Sequence, residues 1–181
     1  AITSTEPNDY SGAFVDWAEN KIGADEPNTW FTLHRYEWSY MLKSRDNASN
    51  LWGLAIVDGI KGIIILPNKW SNPRGIIFNP GSNNWNANTL NFENWKLLEQ
   101  EGAIFLPVAG TRAGIEVGNL DYMGGYRTSE SGYTITLQAV SGIYVSGFAI
   151  ERGISVRLAK ELKDYDADAD LNKITYTDGS W

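Results

Sequence analysis

Residues 124–158 read GGYRTSESGYTITLQAVSGIYVSGFAIERGISVRL, and this stretch decides the fold. Over residues 133–139 apolar side chains alternate with threonine and glutamine, and a period of two is typical of a half-buried strand. Ser141 and Gly142 form a candidate two-residue turn, since glycine adopts positive φ at no steric cost. The stretch therefore predicts a β-hairpin that lies with one face on a core.

A two-residue turn defines the register of this hairpin. The expected pairs are Val140 with Ile143, Ala139 with Tyr144, Leu137 with Ser146, Ile135 with Phe148, and Tyr133 with Ile150. Most apolar residues then share one face and the polar residues of the first strand lie on the other. We expect an aspartate at Ile135 or Phe148 to unfold the domain and one at Thr136 to be mild. Burial of both faces is the alternative, because the second face is partly apolar.

Composition restricts the class of protein. At 181 residues the chain is long enough for one domain with a real core, and it contains no cysteine for disulfides or thiolate metal sites. The formal net charge of −7 argues against a nucleic-acid partner, which needs clustered Lys and Arg. No apolar run approaches the roughly 20 residues of a membrane helix, so we expect a chain that does not span a membrane. Eight Trp, nine Tyr and eighteen Gly indicate a loop-rich fold with aromatic anchors.

Two helices and several strands are predicted along the chain. The first helix covers residues 33–43 with Thr32 as N-cap, and the second covers 92–100 with Asn91 as N-cap and Gly102 as the stop. Strands are expected at 54–57, 63–67, 75–78, 103–107 and 154–158, with a turn at 58–59 and long loops at 79–88 and 108–123. The continuous β-branched run at 63–67 predicts burial on both faces.

The order of elements predicts a lead-in at residues 1–13, one α+β domain at 14–159 and an acidic extension at 160–181. An edge strand, a linker and a tail are the alternatives for this extension, which ends in a short alternating segment.

Five motifs occur in an order that resembles a known family: VDWAENKIG (15–23), NTWFTLHRYEWSYML (28–42), GIIILPNKW (62–70), ENWKLLEQEGAIFLPVAGTR (93–112) and GISVRL (153–158). Together they look like the Fibrobacter succinogenes major paralogous domain, which is abundant in proteins of gut Bacteroidetes. The family is similar to the C-type lectin-like fold of formylglycine-generating enzymes.

The resemblance implies a small twisted antiparallel sheet with two flanking helices and long loops, in a cell-surface or secreted bacterial lipoprotein. One departure stands out. The family has Tyr-Trp-Ser-Ser before the hairpin, whereas this chain has Tyr126-Arg127-Thr128-Ser129. The pocket of that Trp is then either refilled or moved to the surface.

The residue types argue against an enzyme. The single histidine, His34, has no metal-ligand spacing around it, so we expect it near a helix cap or in solvent. Without cysteine, the oxidation carried out by formylglycine-generating relatives is excluded. A glycosidase needs two facing carboxylates, and nothing in the sequence pairs its carboxylates. No cofactor is indicated.

A metal site is not expected either. Aspartates alternate over residues 164–170, but an EF-hand loop counted from the first would need Gly and Glu where Ala169 and Thr175 stand. The interpretation is a solvated acidic segment.

Aromatic and amide side chains in loops indicate ligand recognition. The candidate ligand-binding residues are Trp85, Tyr122, Tyr126, Arg127 and Ser129. Trp85 is the tryptophan most expected to be exposed, because no periodic element surrounds it; the alternative is that it fixes its long loop to the body of the protein. The tryptophans in the motifs are expected in the core: Trp17, Trp30, Trp38 and Trp95.

Three functions remain open. The first is a non-enzymatic surface module that recognises a glycan or a host or bacterial surface protein. The second is a structural or fimbrial-type spacer without a small ligand, in which the aromatics are buried. The third is a display protein diversified by a retroelement, with variable positions within residues 124–152.

Overall fold

The computed structural model of the chain describes residues 16–138, 142–150 and 152–161. The predicted lead-in at 1–13 and the acidic residues after 161 lie outside the described residues. Within them the protein is a mixed α/β structure with two α-helices and four small sheets. None of the helices in this part of the chain is long and apolar enough to cross a membrane.

Helix α1 spans Arg35–Ser39 and continues into a π-helical turn at Tyr40–Ser44, and helix α2 spans Phe92–Gln100. The strands are β1 (Trp30–Thr32), β2 (Trp52–Val57), β3 (Ile60–Ile65), β4 (Thr89–Leu90), β5 (Ile104–Pro107), β6 (Thr111–Ala113), β7 (Glu116–Gly118), β8 (Met123–Arg127), β9 (Tyr133–Gln138), β10 (Gly142–Gly147) and β11 (Leu158–Lys160).

The chain divides into two compact units. The described residues of one unit form a single stretch, Asp46–Leu106, and we name it the continuous unit. The split unit takes its described residues from 16–45 and from 107–161, on either side of the continuous unit in the sequence.

The continuous unit is organised by a four-stranded sheet in the order β4-β2-β3-β5. Strands β2 and β3 are antiparallel, as predicted, but β4 pairs with β2 in parallel. Ile63, Ile64 and Ile65 are all buried, which confirms that both faces of β3 are covered. Asp58 and Gly59 both have positive φ and form the predicted turn between β2 and β3.

Helix α2 confirms its predicted bounds and caps. The Asn91 side chain accepts a hydrogen bond from the backbone N–H of Asn94 at 2.8 Å, and Gly102 ends the helix at φ +88°. The helix packs Trp95 and Leu98 into a core that also takes buried side chains from the sheet and the loops: Leu51, Ala55, Val57, Ile64, Leu66, Ile76, Phe78, Leu90 and Ala103.

Residues 75–78 form no strand, so that prediction was wrong. Ile76 and Phe78 are buried and Ile77 is exposed, which reproduces the alternation of a strand. The backbone N–H of Ile76 instead donates to the Pro73 carbonyl in a turn, at 3.1 Å. Alternation alone therefore does not make a strand where no neighbouring strand is available to pair.

The split unit contains three small sheets: β10-β9-β8, β1-β11 and β6-β7. The β9–β10 hairpin exists, but its predicted register was wrong. Ile143 pairs with Leu137 and Val145 with Ile135, and Gly142 already pairs with Gln138. The connection is therefore residues 139–141, which lie outside the described residues, and the second strand is shifted by three positions.

Both faces of β9 are covered. Thr134 and Thr136 on the predicted solvent face are buried, as are Ile135 and Leu137 on the other face. The hydroxyl of Thr134 donates to the Tyr126 carbonyl at 2.8 Å, and the hydroxyl of Thr136 lies 2.9 Å from that of Ser146. These bonds allow threonine to be buried without loss of a hydrogen-bonding partner.

Helix α1 begins later than predicted. Thr32 is not its N-cap, because it belongs to β1 and pairs with Leu158. His34 is the N-cap: its Nδ1 accepts from the Tyr36 N–H, and the Glu37 carboxylate accepts from the His34 N–H at 2.6 Å. The expectation that His34 lies at a helix cap is confirmed.

Three other predictions need correction. The loop predicted at 108–123 contains the β6–β7 hairpin, and the last strand begins at Leu158 rather than at residue 154. Of the four motif tryptophans, Trp38 and Trp95 are buried, whereas Trp17 is more than half exposed. Trp30 is half-buried, and its indole N–H donates to Asp25 at 2.8 Å.

Candidate functional site

Trp85 is not an exposed platform. It lies in a helical turn of the continuous unit, Trp85–Ala87, with 9% of its surface exposed. The neighbouring Asn88 is fully buried and ties the surrounding loop to β2. Its amide donates to the carbonyls of Leu54 and Asn79, and its Oδ1 accepts from the Asn79 N–H at 2.6 Å. The asparagine-rich stretch is therefore a loop held against β2 by hydrogen bonds. The expected exposure of Trp85 was wrong, and its burial does not favour its predicted role in ligand binding.

Tyr126 is also buried, with 3% of its surface exposed. Its hydroxyl donates to the Pro107 carbonyl at 2.8 Å, and its ring centroid lies 6.4 Å from that of Trp38. Burial raises the pKa of the Tyr126 phenol well above its ordinary value. Tyr126 is thus a core residue with a satisfied hydroxyl, and its burial does not favour its predicted role in ligand binding.

Arg127 holds a loop in place. Its guanidinium donates to the carbonyls of Ala149, Ile150 and Arg152 at 2.9, 3.1 and 2.6 Å. Arginine suits this position because it offers several N–H donors in a fixed planar arrangement. The Arg127 guanidinium therefore contacts backbone carbonyls of the segment before Gly153, and its role in ligand binding stays a prediction.

Tyr122 and Ser129 are the predicted residues that remain accessible. Tyr122 is half exposed, after the β6–β7 hairpin. Ser129 is half-buried, and its backbone N–H donates to the Leu33 carbonyl at 3.1 Å. This bond places the turn between β8 and β9 beside the start of helix α1.

A cluster of charged and aromatic side chains lies at that junction, and we name it the Arg35 cluster: His34, Arg35, Tyr36, Glu130 and Tyr133. The Arg35 guanidinium lies 4.6 Å from the ring centroids of both Tyr36 and Tyr133. Its Nε forms an ion pair with Glu130 Oε2 at 3.0 Å. The same carboxylate oxygen lies 3.2 Å from His34 Nε2.

Local structure positions both halves of the cluster. The capping box at the start of α1 orients His34 and the two residues after it. The turn that carries Glu130 is built on Thr128, which is fully buried and whose hydroxyl contacts the Glu130 backbone at 3.1 and 3.3 Å. Gly132 supplies the positive φ, +80°, that brings the chain into β9.

In this cluster the Arg35 guanidinium stays charged and the two tyrosine side chains are exposed. Desolvation acts to lower the pKa of Arg35, but the Glu130 carboxylate and Tyr36 raise it above its ordinary value, so the guanidinium remains charged. Tyr36 is 64% exposed and Tyr133 is 36% exposed. Cation–π contacts of this kind attract the guanidinium to the faces of the two rings, and the Tyr36 ring also lies 4.9 Å from the His34 ring, centroid to centroid.

A metal site has no support in the described residues. They contain no group of three or more His, Asp or Glu side chains that could hold a metal ion. The cluster contains no serine or threonine hydroxyl next to a base that could act as an activated nucleophile. Its arrangement can present aromatic surface together with a paired carboxylate.

Sequence reasoning missed the Arg35 cluster. Its two halves are about 95 residues apart, and only the fold brings them together. A usable signal was present in each half, since HRYE and ESGY both place a charged residue within three positions of a tyrosine, at a helix start or a turn.

Comparisons with protein-family models, with curated proteins and with solved structures find no match to this chain.

Proposed function

We propose that the protein is a non-enzymatic ligand-recognition module and that the Arg35 cluster is its binding surface. The observation that carries the proposal is the arginine held between two tyrosines that are themselves accessible. Side chains fixed by mutual contacts lose little conformational entropy when a ligand binds, which favours recognition.

A glycan is the ligand class that fits this surface best. Exposed tyrosine rings offer flat apolar faces on which the C–H groups of a sugar ring stack. Glu130 and His34 lie beside them and can exchange hydrogen bonds with sugar hydroxyls. Because Arg35 is already paired with Glu130, a neutral sugar is favoured over an anionic one.

The proposal includes the setting that the sequence motifs imply. We take the fold to be C-type lectin-like, in a relative of the Fibrobacter major paralogous domain at the bacterial cell surface or in a secreted protein. Two helices, small sheets and long loops support this. An experimental structure that superposes on a C-type lectin-like domain, and cell fractionation that finds the protein at the surface, would support it further.

The test is a glycan array with the wild-type protein, followed by titration of the strongest hit against variants. Tyr36→Ala and Tyr133→Ala should each weaken binding by about tenfold, or ~1.4 kcal/mol. Tyr40→Ala is the matched control, because Tyr40 is exposed on the same helical segment and lies outside the cluster. An array without hits, or equal binding by all three variants, would contradict the proposal.

A spacer function is the second candidate, and one observation favours it. Trp85 and Tyr126, the loop aromatics expected to meet a ligand, are both buried. If the glycan array and the variants show no binding, the spacer function is the one to pursue.

A further inference from the structure

A second exposed surface lies on the split unit, apart from the residues of the Arg35 cluster. It follows strand β6, and we name it the β7 surface: residues 115–122. Four of its side chains are apolar and each is more than half exposed: Ile115, Val117, Leu120 and Tyr122. A concentration of exposed apolar side chains in one short segment is typical of an interaction site rather than of ordinary surface.

The β7 surface is held in a defined conformation. The backbone of Arg112 exchanges two hydrogen bonds with Gly153, at 2.8 and 2.9 Å, and its Nε donates to the Gly114 carbonyl at 2.7 Å. On the other side, the Asn119 side chain donates to the hydroxyl of the buried Thr111 at 3.2 Å. A segment anchored at both ends presents its side chains with little entropy left to lose on binding.

The backbone of this segment is also unusual. Asn119 and Asp121 both have left-handed conformations, with φ of +59° and +58°. At Gly110 φ is +73°, and an added Cβ would collide with the Gly118 carbonyl oxygen. Asparagine and aspartate tolerate the left-handed region and glycine adopts it at no steric cost, so these residues define the course of the loop that carries the exposed apolar side chains.

The charges of the β7 surface are of one sign. Glu116 and Asp121 are exposed among the apolar side chains, and no Lys or Arg occurs between Arg112 and Arg127. The Arg112 guanidinium contacts a backbone carbonyl of the hairpin turn. A partner that covers the apolar side chains therefore lies next to negatively charged side chains. Electrostatic complementarity then favours Lys or Arg on the partner.

The shape of the surface indicates an extended partner. Strand β7 pairs with β6 along one edge, and the described residues place no strand on its other edge. All three residues of β7 are exposed. An extended segment can add to such an edge through backbone hydrogen bonds while its side chains meet those of the surface.

We infer that the β7 surface docks an extended segment of another protein, in which apolar side chains are interspersed with Lys or Arg. A second copy of this chain is disfavoured, because it would bring the acidic side chains of two β7 surfaces together in a protein of net charge −7. The inference is independent of the Arg35 cluster and of its ligand.

The test uses the full chain and a display library of random short peptides. Selection on the wild-type protein should enrich peptides with apolar and basic residues, and their affinity should fall as salt is raised. A variant with Val117→Thr, Leu120→Ser and Tyr122→Ser should lose at least tenfold in affinity for the enriched peptides. Glu116→Lys should weaken binding of basic peptides and leave the thermal stability unchanged, because Glu116 is exposed on an edge strand.

Matched controls separate this surface from general hydrophobicity and from folding. Ile77→Ser removes another highly exposed apolar side chain, in the continuous unit, and should leave binding unchanged. The triple variant should keep the wild-type circular dichroism spectrum.

Four results would overturn the inference: no enrichment, enrichment of acidic peptides, equal binding by wild type and triple variant, or self-association that the triple variant abolishes. Binding of the wild type, but not the triple variant, to phosphatidylcholine vesicles would assign the surface to a lipid instead.

Discussion

At the scale of single residues, Asn88 shows how one buried amide can hold a loop. Its side chain forms hydrogen bonds with the carbonyls of Leu54 and Asn79 and with the Asn79 N–H, and these bonds connect the asparagine-rich stretch to β2. Buried polar groups left unpaired cost about 1–3 kcal/mol each.

We expect Asn88→Ala to lower the free energy of unfolding by more than about 2 kcal/mol, because it leaves several of these groups without a partner. Urea denaturation measures the effect. Asn86→Ala is the control, because Asn86 is exposed in the same loop and its loss should change stability by less than ~0.5 kcal/mol. Equal effects of the two substitutions would show that Asn88 does not anchor the loop.

Tyr126 gives a prediction about pH. Burial raises its pKa in the folded state, whereas in the unfolded chain a phenol ionises at about pH 10. The folded state therefore binds more protons at alkaline pH, so stability contributed by this group is complete below about pH 10 and is lost as pH rises further.

Tyr126→Phe removes this dependence. The variant should be less stable than wild type at pH 8 by about 0.5–1.5 kcal/mol, through loss of the hydrogen bond to Pro107, and the difference should shrink above pH 10. Urea denaturation across this pH range measures it. Tyr122→Phe controls for the loss of one phenol, since Tyr122 is exposed. A constant difference between wild type and Tyr126→Phe would contradict the interpretation.

At the scale of elements, strand β9 is a buried strand with an alternating sequence. Its threonines are accommodated by hydrogen bonds to Tyr126 and Ser146, so polarity here does not indicate solvent. A charge placed on either face would be buried without a partner.

Thr136→Asp should therefore destabilise the protein about as much as Ile135→Asp, contrary to the expectation from the sequence. Each should cost more than the roughly 1–3 kcal/mol of burying an uncharged polar group, as measured by thermal denaturation. Thr89→Asp is the control, since Thr89 is exposed on strand β4. A mild effect of Thr136→Asp alone would show that this face of the strand is open to water.

The sequence predicted structural features correctly where they depend on contacts within a few residues. The cap of α2 at Asn91 and its stop at Gly102 depend on neighbours three positions away or on one backbone torsion. Thr32 failed as a cap because it pairs with Leu158, which no local pattern reveals. The hairpin register failed because Gly142 opens strand β10 at positive φ rather than belonging to the turn.

The candidate site could be predicted only in part, because the exposure of its residues also depends on partners that are distant in the sequence. Tyr122 and Ser129 are accessible or adjacent to the Arg35 cluster. The burial of Tyr126 depends on a carbonyl 19 residues earlier, at Pro107, and that of Trp85 on a loop pinned by Asn88. Whether an aromatic residue is exposed thus depends on partners that are distant in the sequence. The spacing of residue types does not reveal those partners.

At the scale of the whole molecule, the continuous unit carries its own core. All the buried residues of its hydrophobic cluster lie between Leu51 and Ala103. Domains of about 60 residues are often marginal but many fold alone.

We expect a fragment of residues 46–106 to unfold cooperatively in urea. Leu98→Ala in the same fragment should abolish the transition, because a cavity of this kind costs about 2–5 kcal/mol and Leu98 is fully buried. Leu97→Ala is the control, since Leu97 lies on the exposed side of α2. A fragment without a cooperative transition would show that its core requires the rest of the chain.

The pairing of β1 with β11 also sets an order of events on the ribosome. Trp30 leaves the exit tunnel about 130 residues before its partner Lys160, a delay on the order of 10 s at synthesis rates of about 5–20 residues per second. During that time residues 46–106 emerge complete, whereas the segment before them waits for strands not yet translated. The nascent chain thus carries residues 16–45 without their partner strands while residues 46–106 are already complete, and we expect chaperones to bind the protein first at residues 16–45.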